Sequence, residues 1–514
     1  MQVETTQESV LDPQPRRLWR KELRQAVAAA IDREAIVDEV LGGHGTAAYH
    51  MVPPGYPFTS EPFRELYGRR NLELSIRLLS ELGYSRETPF ELDLWHPPAG
   101  HYGARDEAMI ELLKAQLEES GLIKVHLHSK PWGAYVDSLL ASEMPAFVIG
   151  WSPDFVDPDN WLSPFASSAQ SPDQGVHYHD AEMNRLLQTA ASSTDPAERG
   201  RLYQQIGLRF AENVPTLPLW WDPAIIAYRD GVEGITIGPP FELNYHIVSF
   251  GPGSRPAAGN TETLIIGKTF AVQSLDANDA HARSDWEILK NTGESLVSYK
   301  PGTAELILGA AALPTISDGG RTYTFKLREG LKFADGTALT AENYLYAWRR
   351  LNVLKGQVSG LVRIYVEAVE APDDLTVVYH LRDRFGFFPA VAASPCFIPV
   401  HPRDFPADRV NRFPEKLDGI GRYRMISYVP GDRMILERNP YCALDGPKIP
   451  RVVLRYFASV AELASALVAG EIDVAWRKLD TAQAARLREQ PGLKVVTVST
   501  PLLRYLVFNN AYPA

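Results

Sequence analysis

The sequence predicts an α/β protein built from two lobes, and three observations lead to this fold class. A chain of 514 residues is longer than a single hydrophobic core ordinarily supports. Apolar strand patterns alternate with amphipathic helix patterns, which is typical of α/β architecture. Between the two halves lies the stretch GPGSRPAAGN at residues 251–260, whose small and turn-forming residues indicate a flexible linker.

The first half begins with residues 1–17, which we expect to be a disordered lead-in. The stretch LRQAVAAAIDREAIVDEVLGG then places apolar residues at helical spacing, and Asp32 can N-cap a second helix that Gly42 and Gly43 end. NLELSIRLLSELGY predicts a further amphipathic helix. FELDLWHP, a helix from about Glu107 to Ser120, and IKVHLHS form a strand–helix–strand unit, and MPAFVIGW adds another apolar strand.

The second half opens with several strand patterns. TETLIIGKTF, TYTFKLREG, DLTVVYHL and GDRMILERNP each predict a strand, and TAENYLYAWRRL predicts a helix beginning at Thr340. VAELASALVAGEIDVAW reads as a helix that runs into a strand. The chain then ends in LLRYLVFNNAYPA, where apolar residues occupy both faces from Leu503 to Phe508, the pattern of a strand buried on both sides.

Composition excludes several classes of function. Hydrophobic residues make up 45% of the chain and charged residues 22%, as in ordinary soluble proteins. The net charge of -11 argues against nucleic acid or an anionic membrane as the main partner. No run is apolar for long enough to span a bilayer, and the first residues lack the apolar core of a signal peptide. Cys396 and Cys442 could form one disulfide or remain two buried thiols.

Several motifs resemble one family, the family 5 extracellular solute-binding proteins, which are peptide and nickel receptors of ABC importers. The second half contributes TYTFKLREGLKFADGTALTAENYLYAWRRL, GDRMILERNPYC, ALVAGEIDVAW and YLVFNN. The first half contributes LRQAVAAAIDREAIV, YHMVPPG, GWSPDFVDPDNWLSPF and DPAERGRLYQQIGLRFAENVPTLPLWW. The resemblance implies a bilobed periplasmic-binding-protein-like fold of type II, in the large peptide-receptor subclass.

The motifs stand in an unusual order. In the family, YLVFNN is followed by helices similar to LRQAVAAAIDREAIV, which here lie at the opposite end of the chain. The resemblance therefore implies a circular permutation, in which family order is residues 261–514 followed by residues 18–250. A tandem pair of receptor genes that lost both outer halves would give the same chain.

The permuted order predicts the domain organisation. Residues 18–215 would form the ligand-binding lobe, 216–250 would return as strands into the other lobe, and 261–514 would complete that lobe. We expect Val214–Trp221 to join the lobes, while the second hinge crossing, near Asn510, loses its covalent link.

The same interpretation makes a prediction about the chain ends. The strand Leu502–Asn510 should pack in the sheet that bridges to the lobe of residues 18–212. Ala514 should then end close to the region of Trp19–Leu23.

The resemblance also implies a ligand site in GWSPDFVDPDNW. Trp151 and Asp154 fall where peptide-binding relatives place an aromatic ring and the carboxylate that holds the peptide's α-ammonium group. A carboxylate in a closing cleft gains strongly from a charge-assisted hydrogen bond. The alternatives are that Asp154 braces its turn, as Asp157 and Asp159 would do, and that Trp151 belongs to the lobe core.

Other candidate residues carry weaker signals. Dipeptide-binding relatives have an arginine for the ligand's carboxylate where this sequence has His96, which favours longer peptides held through backbone contacts. The loop residues His101, Tyr102 and Arg105 are candidates for the cleft wall or for ordinary surface positions. In the other lobe, Trp286 and Asn291 lie in the segment that matches the family's first cleft-facing loop, although core and cap roles are the alternatives.

The expected function is a solute receptor, and other functions receive less support. The pairs VHLHS and VHYHD could bind a metal, as in the nickel receptors of the family, but we assign no metal site and no cofactor. No catalytic motif supports a hydrolase, so we expect no enzyme activity. The resemblance implies a small peptide or similar solute as ligand, ABC permease subunits as partners, a monomeric protein and an extracytoplasmic location.

Overall fold

The computed structural model describes residues 19–103, 105–238, 242–270 and 272–513. The lead-in expected at residues 1–17 lies outside these ranges, as does Ala514. Most of the strands belong to one mixed sheet, and a smaller antiparallel sheet lies in the second half of the chain. Within the described ranges, no helix is both long and apolar enough to cross a bilayer.

The helices of the described residues agree with the sequence patterns. Asp32 caps α2 by accepting a hydrogen bond from the Ala35 N–H, and Thr340 begins α11 with a capping box to Asn343, so both predicted caps are confirmed. The α-helices are α1 (Lys21–Ala30), α2 (Arg33–Ala35), α3 (Pro62–Tyr67), α4 (Leu72–Glu81), α5 (Asp106–Glu118), α6 (Trp132–Leu140), α7 (Asp159–Ala166), α8 (Ala181–Ser192), α9 (Pro196–Asn213), α10 (Arg283–Thr292), α11 (Ala341–Leu354), α12 (Ser359–Arg363), α13 (Phe388–Ala392), α14 (Val460–Val468) and α15 (Thr481–Arg488).

The strands likewise fall on the apolar runs of the sequence. They are β1 (Thr46–Ala47), β2 (Phe90–His96), β3 (Ile123–Ser129), β4 (Ala146–Trp151), β5 (Thr216–Arg229), β6 (Val232–Glu233), β7 (Ser249–Phe250), β8 (Thr263–Lys268), β9 (Val297–Tyr299), β10 (Leu306–Leu308), β11 (Thr315–Ser317), β12 (Thr322–Lys326), β13 (Val366–Asp373), β14 (Thr376–Leu381), β15 (Tyr423–Val429), β16 (Arg433–Arg438), β17 (Arg451–Tyr456), β18 (Val474–Trp476) and β19 (Leu493–Phe508). Residues 251–260 form no helix or strand and connect β7 to β8.

The main sheet runs through both lobes. Its strand order is β15-β16-β17-β8-β18-β5-β19-β4-β2-β3, with β1 paired to β5. The parallel pairs β8–β17 and β8–β18 lie in one lobe, and β2–β3 and β2–β4 lie in the other. Between them, β5 and β19 pair antiparallel from Leu493 opposite Arg229 to Val507 opposite Thr216. The β5–β19 pair therefore joins the two parallel parts of the sheet.

The buried apolar residues form two large cores. The first core contains buried residues from Trp19 to Trp221 together with Leu503–Phe508. The second core contains Phe155 and buried residues from Ile226 to Trp476. A smaller cluster packs α14 and α15 against β5. We refer to the parts of the molecule around the first and second cores as the first and second lobes.

The chain crosses between the lobes twice, both times within the β5–β19 pair. On β5, Trp221 belongs to the first core and Ala224 packs against the second. On β19, Leu502 packs against the second core and Leu503 belongs to the first. The expectation that one crossing loses its covalent link is therefore wrong, because the chain ends after the second crossing. The second lobe was expected to extend to residue 514, but the buried residues from Leu503 to Phe508 belong to the first core.

The two described ends of the chain meet in the first core. The Trp19 ring lies 4.6 Å from the Phe508 ring between centroids, and its Nε1 donates to the Pro145 carbonyl at 2.7 Å. The buried Arg24 guanidinium donates to Asn510 Oδ1 at 2.8 Å and to the Val214 carbonyl at 2.9 Å. These bonds tie α1 both to the end of α9 and to the last strand.

We expect Arg24→Ala to lower the free energy of unfolding by about 3 kcal/mol, because it strands several buried acceptors at once. Arg20→Ala is the matched control, since the Arg20 side chain is 66% exposed, and it should change stability by no more than about 0.5 kcal/mol. Urea unfolding measures both. Equal effects of the two substitutions would contradict this account of the chain ends.

Candidate functional site

A loop that follows β4 brings Asp154 to the boundary between the lobes. The backbone N–H of Asp154 donates to Asn160 Oδ1 at 3.0 Å, which fixes the turn through the main chain. The side-chain Oδ1 lies 3.0 Å from Nε2 of His281, which belongs to the second lobe. Asp154 thus contacts the opposite lobe through a side chain that is 23% exposed, while the His281 side chain is 48% exposed.

Two further carboxylates of the same loop have structural partners. Asp157 forms a buried bidentate ion pair with Arg199, at 2.8 and 2.9 Å. Asp159 accepts a hydrogen bond from Ser163 Oγ at 2.7 Å, and burial raises the pKa of Asp159 to about 7. These bonds hold the loop and the first turn of α7, in agreement with the bracing role that the sequence suggested for both residues.

Asp154 lines a narrow cavity between the lobes. The cavity has a volume of about 20 Å³, which leaves room for little more than one water molecule. A larger molecule fits between these walls only if the lobes move apart. The other lining residues are Tyr56, Pro153 and Val156 of the first lobe, Phe155, whose ring lies in the second core, and Glu242, Arg283, Trp286, Lys290, Tyr299, Ala390, Ala393, Ser394 and Pro395 of the second lobe.

The second-lobe wall of this cavity carries charged side chains that form no direct ion pair within the described ranges. Among the described residues, no carboxylate lies within 4.0 Å of Arg283 or Lys290, and no cation lies within 4.0 Å of Glu242. Lys290 instead donates to the Ala393 carbonyl at 2.5 Å. Burial raises the pKa of Glu242 to about 7, while Lys290 and Arg283 oppose this shift. The wall therefore presents both signs of charge to a ligand.

A buried ionic network supports this wall from behind. Glu287 accepts bonds from Lys268 Nζ at 2.5 Å, Arg477 Nη2 at 2.8 Å and Trp476 Nε1 at 2.9 Å. Burial opposes ionisation of Glu287, but the Lys268 and Arg477 cations lower its pKa to about 2. Because Glu287 lies on α10, the network fixes the helix that presents Arg283 to the cavity.

The five residues predicted for the site have different places in the structure. Asp154 and Trp286 line the cavity, whereas Trp151, His96 and Asn291 do not belong to its described lining. Trp286 is 2% exposed, and its Nε1 donates to the Ala280 carbonyl at 2.7 Å. Trp151 packs edge-on against Phe165, at 5.2 Å between ring centroids, on the surface of the first core.

Asn291 and His96 have local roles. Asn291 Oδ1 accepts from the Tyr245 N–H at 2.9 Å, and its Nδ2 donates to the Leu243 carbonyl at 3.0 Å, so its amide is fully used in the second lobe. His96 ends β2, with Nδ1 2.9 Å from the Pro97 carbonyl oxygen. These contacts match the core and cap alternative for Asn291.

The loop candidates pack against the lobe crossing. His101 stacks on Trp132 with ring centroids 3.9 Å apart, and the Tyr102 ring lies beneath the guanidinium of Arg504 at 3.5 Å. The Tyr102 hydroxyl accepts a hydrogen bond from the Gly150 N–H at 2.9 Å. Arg105 donates to the Val40 carbonyl.

Sequence reasoning missed Arg283, Lys290 and Glu242. A signal for two of them was present, because Arg283, Trp286 and Lys290 follow the i, i+3, i+7 spacing that places residues on one face of α10. Glu242 had no comparable signal, since it lies in irregular chain between β6 and β7.

Aromatic residues connect the lobes beside the cavity. Phe155, next to Asp154, leaves the first lobe and stacks on Phe387 of the second at 5.4 Å between centroids. Tyr365 packs edge-on against Phe155 at 6.0 Å. Only 4% of Phe155 is exposed, so its ring completes the second core. This contact joins the two lobes in addition to the β5–β19 crossing.

A backbone contact lies next to this aromatic cluster. The Gly386 N–H donates to the Ala191 carbonyl at 2.7 Å, across the lobe boundary. A Cβ atom at Gly386 would collide with the carbonyl oxygen of Ser193, just after α8. Only glycine therefore allows the two backbones to approach this closely.

We expect Gly386→Ala to open the lobes and to increase the radius of gyration measured by small-angle X-ray scattering. Gly360→Ala is the matched control, because a Cβ atom at Gly360 meets nothing within 4 Å. The control should scatter like the unchanged protein. An unaltered radius of gyration in the Gly386 variant would show that this contact does not hold the lobes closed.

The remaining candidate sites have structural explanations. His126 and His128 of β3 bond to Glu91 and Asp93 of the neighbouring strand β2, at 2.5 and 2.7 Å. Within the described ranges, no group of three or more His, Cys, Asp or Glu side chains is arranged to hold a metal ion. Cys396 is a buried free thiol and Cys442 a partly buried one, so the structure contains no disulfide between them.

A wider cavity of about 910 Å³ lies in the second lobe. Arg403 on its wall bonds to Asp335 at 2.9 Å, Asp404 at 2.8 Å and Asp418 at 3.0 Å. Since Arg403 is already paired within this wall and the cavity lies in a single lobe, the cavity between the lobes is the better candidate for a ligand site.

The model of one protein family matches most of the chain. The model described as bacterial extracellular solute-binding proteins, family 5 Middle, matches residues 7–173 and 299–514. The two matched stretches together cover most of the chain, and the gap between them contains the linker.

Curated relatives carry names that describe binding proteins. The chain is 30% identical over 233 residues to di/tripeptide-binding protein 1 of Pseudomonas aeruginosa, covering 45% of this chain and 42% of the relative. It is 29% identical over 229 residues to heme-binding protein A of Haemophilus influenzae, covering 42% and 39%. The chain thus spans about two fifths of the length of these relatives.

Solved structures match over a similar share of the chain. The structure of clavulanic acid biosynthesis oligopeptide binding protein 2 is 27% identical and covers 51% of this chain and 50% of its own, with a TM-score of 0.41.

Proposed function

The chain belongs to the family 5 bacterial extracellular solute-binding proteins, and on this basis we propose that it is the solute receptor of an ABC importer, closing its two lobes on a small peptide. The observation that carries the proposal is Asp154, which faces the opposite lobe across a cavity whose second-lobe wall holds Arg283, Lys290 and Glu242 without direct ion pairs among the described residues. The name of the di/tripeptide-binding relative from Pseudomonas aeruginosa supports a peptide as the ligand.

Ligand capture would proceed by opening and closing about the β5–β19 crossing. In the open state, the α-ammonium group of a peptide replaces His281 beside Asp154. Closure then removes water from this pair, which strengthens the charge-assisted hydrogen bond. Trp286 and Tyr299 would cover the apolar part of the ligand, since both line the cavity.

The receptor would act as a binding protein rather than an enzyme. Its partners would be the permease subunits of the importer, and it would work outside the cytoplasm as a monomer. The family description as extracellular solute-binding proteins supports this location.

We expect Asp154→Ala to weaken binding of peptides with a free amino terminus by ~2–5 kcal/mol, because the ligand's ammonium loses its charged partner. Amino-acetylated peptides should bind poorly to the unchanged protein. Isothermal titration calorimetry with a pool of dipeptides and tripeptides measures both effects. Asp173→Ala, an exposed carboxylate of the same lobe, serves as the control. If acetylation leaves the affinity unchanged, Asp154 is not the ammonium anchor.

We further propose that the chain is a circular permutant of the family order. Its division would place residues 18–215 in the ligand-binding lobe, 216–250 in return strands and 261–514 in the other lobe, with the last strand returning to the first core as described above. Two observations support the proposal. The family model matches two separate stretches on either side of the linker, and the end of β19 packs against the start of α1.

Restoring family order tests the permutation. Joining Ala514 to Arg17 by a short loop and cutting within residues 253–260 should preserve the fold and the ligand preference. Both lobe crossings already exist, so the free energy of unfolding should change by only about 1 kcal/mol, the scale of a loop-closure difference. Circular dichroism, urea unfolding and peptide titration measure these properties. A restored protein that misfolds or binds another class of ligand would overturn the permutation.

A further inference from the structure

Arg283 differs from three arginines close to the cores that form ion pairs, and from the buried Arg24 and Arg33, which form no ion pair but do not line the cavity. Arg199, Arg350 and Arg504 each form an ion pair, with Asp157, Asp276 and Asp222 respectively. Arg283 is half-buried, yet within the described ranges no carboxylate lies within 4.0 Å of its guanidinium. An unpaired guanidinium in a partly dry site is costly unless a ligand completes it.

The surroundings of Arg283 orient it without forming a direct ion pair with it. The guanidinium lies over the Trp286 ring at 4.7 Å from the centroid, and the Trp286 Nε1 bond to the Ala280 carbonyl fixes that ring. Stacking on a ring leaves the N–H fork of an arginine available for hydrogen bonding in its own plane. Arg283 is therefore held in place while its donors stay available.

Arg283 and Asp154 face the same small cavity from opposite lobes. Burial lowers the pKa of Arg283, and the Asp154 carboxylate opposes this shift more strongly than any other charge does. The two side chains are thus electrostatic neighbours, although Asp154 pairs with His281 rather than with Arg283. Lys290 adds a second cation to the same wall.

We propose that Arg283 binds the carboxylate of the ligand, so that the two lobes hold the two charged ends of a short peptide. This proposal rests on the proposed receptor function, with Asp154 as the anchor of the amino end. An arginine fork matches a carboxylate with two parallel hydrogen bonds. His96, at the position where dipeptide-binding relatives have arginine, lies outside the described cavity lining, so the carboxylate anchor would come from the other lobe.

The arrangement also selects for ligand length. An extended peptide spans at most about 3.5 Å per residue. Anchors that share one small cavity suit ligands of two or three residues, whereas a longer peptide would have to leave its carboxylate outside the cavity. This proposal and the expectation drawn from His96, that longer peptides are preferred, therefore predict different ligand lengths.

The experiment compares peptides that differ only at the carboxyl end. A pool of dipeptides and tripeptides with free termini, and the same pool amidated at the carboxyl end, are titrated into the unchanged protein, Arg283→Gln and Arg283→Lys. We expect amidation to weaken binding to the unchanged protein by about 30-fold or more. Arg283→Gln should lose a similar factor for the free acids and about threefold or less for the amides, with Arg283→Lys in between.

Arg349→Gln is the matched control, because Arg349 is an exposed arginine of the same lobe paired with Glu342. It should leave both affinities unchanged. Equal binding of acids and amides by the unchanged protein would overturn the role of Arg283 while leaving the receptor function intact. This comparison uses the unchanged protein alone, so it does not depend on whether a variant folds. An equal loss for both pools in Arg283→Gln would also overturn it. Failure of both pools to bind would overturn the receptor function and this proposal together.

Discussion

The antiparallel pairing of β5 with β19 is the interaction on which the rest of the structure depends. Both connections between the lobes run through this pair, so any motion of one lobe against the other must bend the same two strands. The pairing is irregular between Ser499 and Leu503, at the place where β19 changes lobes. Thr500 Oγ1 donates there to the Asp222 carbonyl at 2.7 Å, which links the two strands across the irregular stretch.

Charges near this crossing are arranged differently from those at the cavity. Arg504 pairs with Asp222 and covers Tyr102, so the crossing is electrostatically complete without a ligand. The cavity wall, in contrast, has a helix that is fixed from behind by the Glu287 network and left unpaired in front at Arg283. A preorganised binding site requires this arrangement, in which a rigid network supports a helix whose charged side chain remains available to a ligand.

Local sequence patterns predicted most of the elements. The strands and helices were found because their apolar residues follow simple periods, and capping residues such as Asp32 and Thr340 mark where helices begin. The position of the second crossing was not found. The first part of β19 alternates in exposure, whereas Leu503–Phe508 is buried throughout, and only the packed structure shows that this change marks a different core.

The site was harder to predict for a related reason. Asp154 and Trp286 came from motifs, but the absence of an ionic partner around Arg283 depends on residues far away in sequence. Asn291 shows the opposite case, since its amide bonds to backbone groups almost fifty positions earlier. Motif position alone cannot distinguish a side chain that faces a ligand from one that joins distant segments.

The stacking of Phe155 in the second lobe has a kinetic consequence. With its lobes already in contact, the protein would admit a ligand only during the intervals when that ring has withdrawn. The observed rate of association would then level off at high ligand concentration, at the rate of lobe separation rather than at the rate of encounter. Release would be limited in the same way, because a bound ligand could leave only after the Phe155 ring had separated from Phe387.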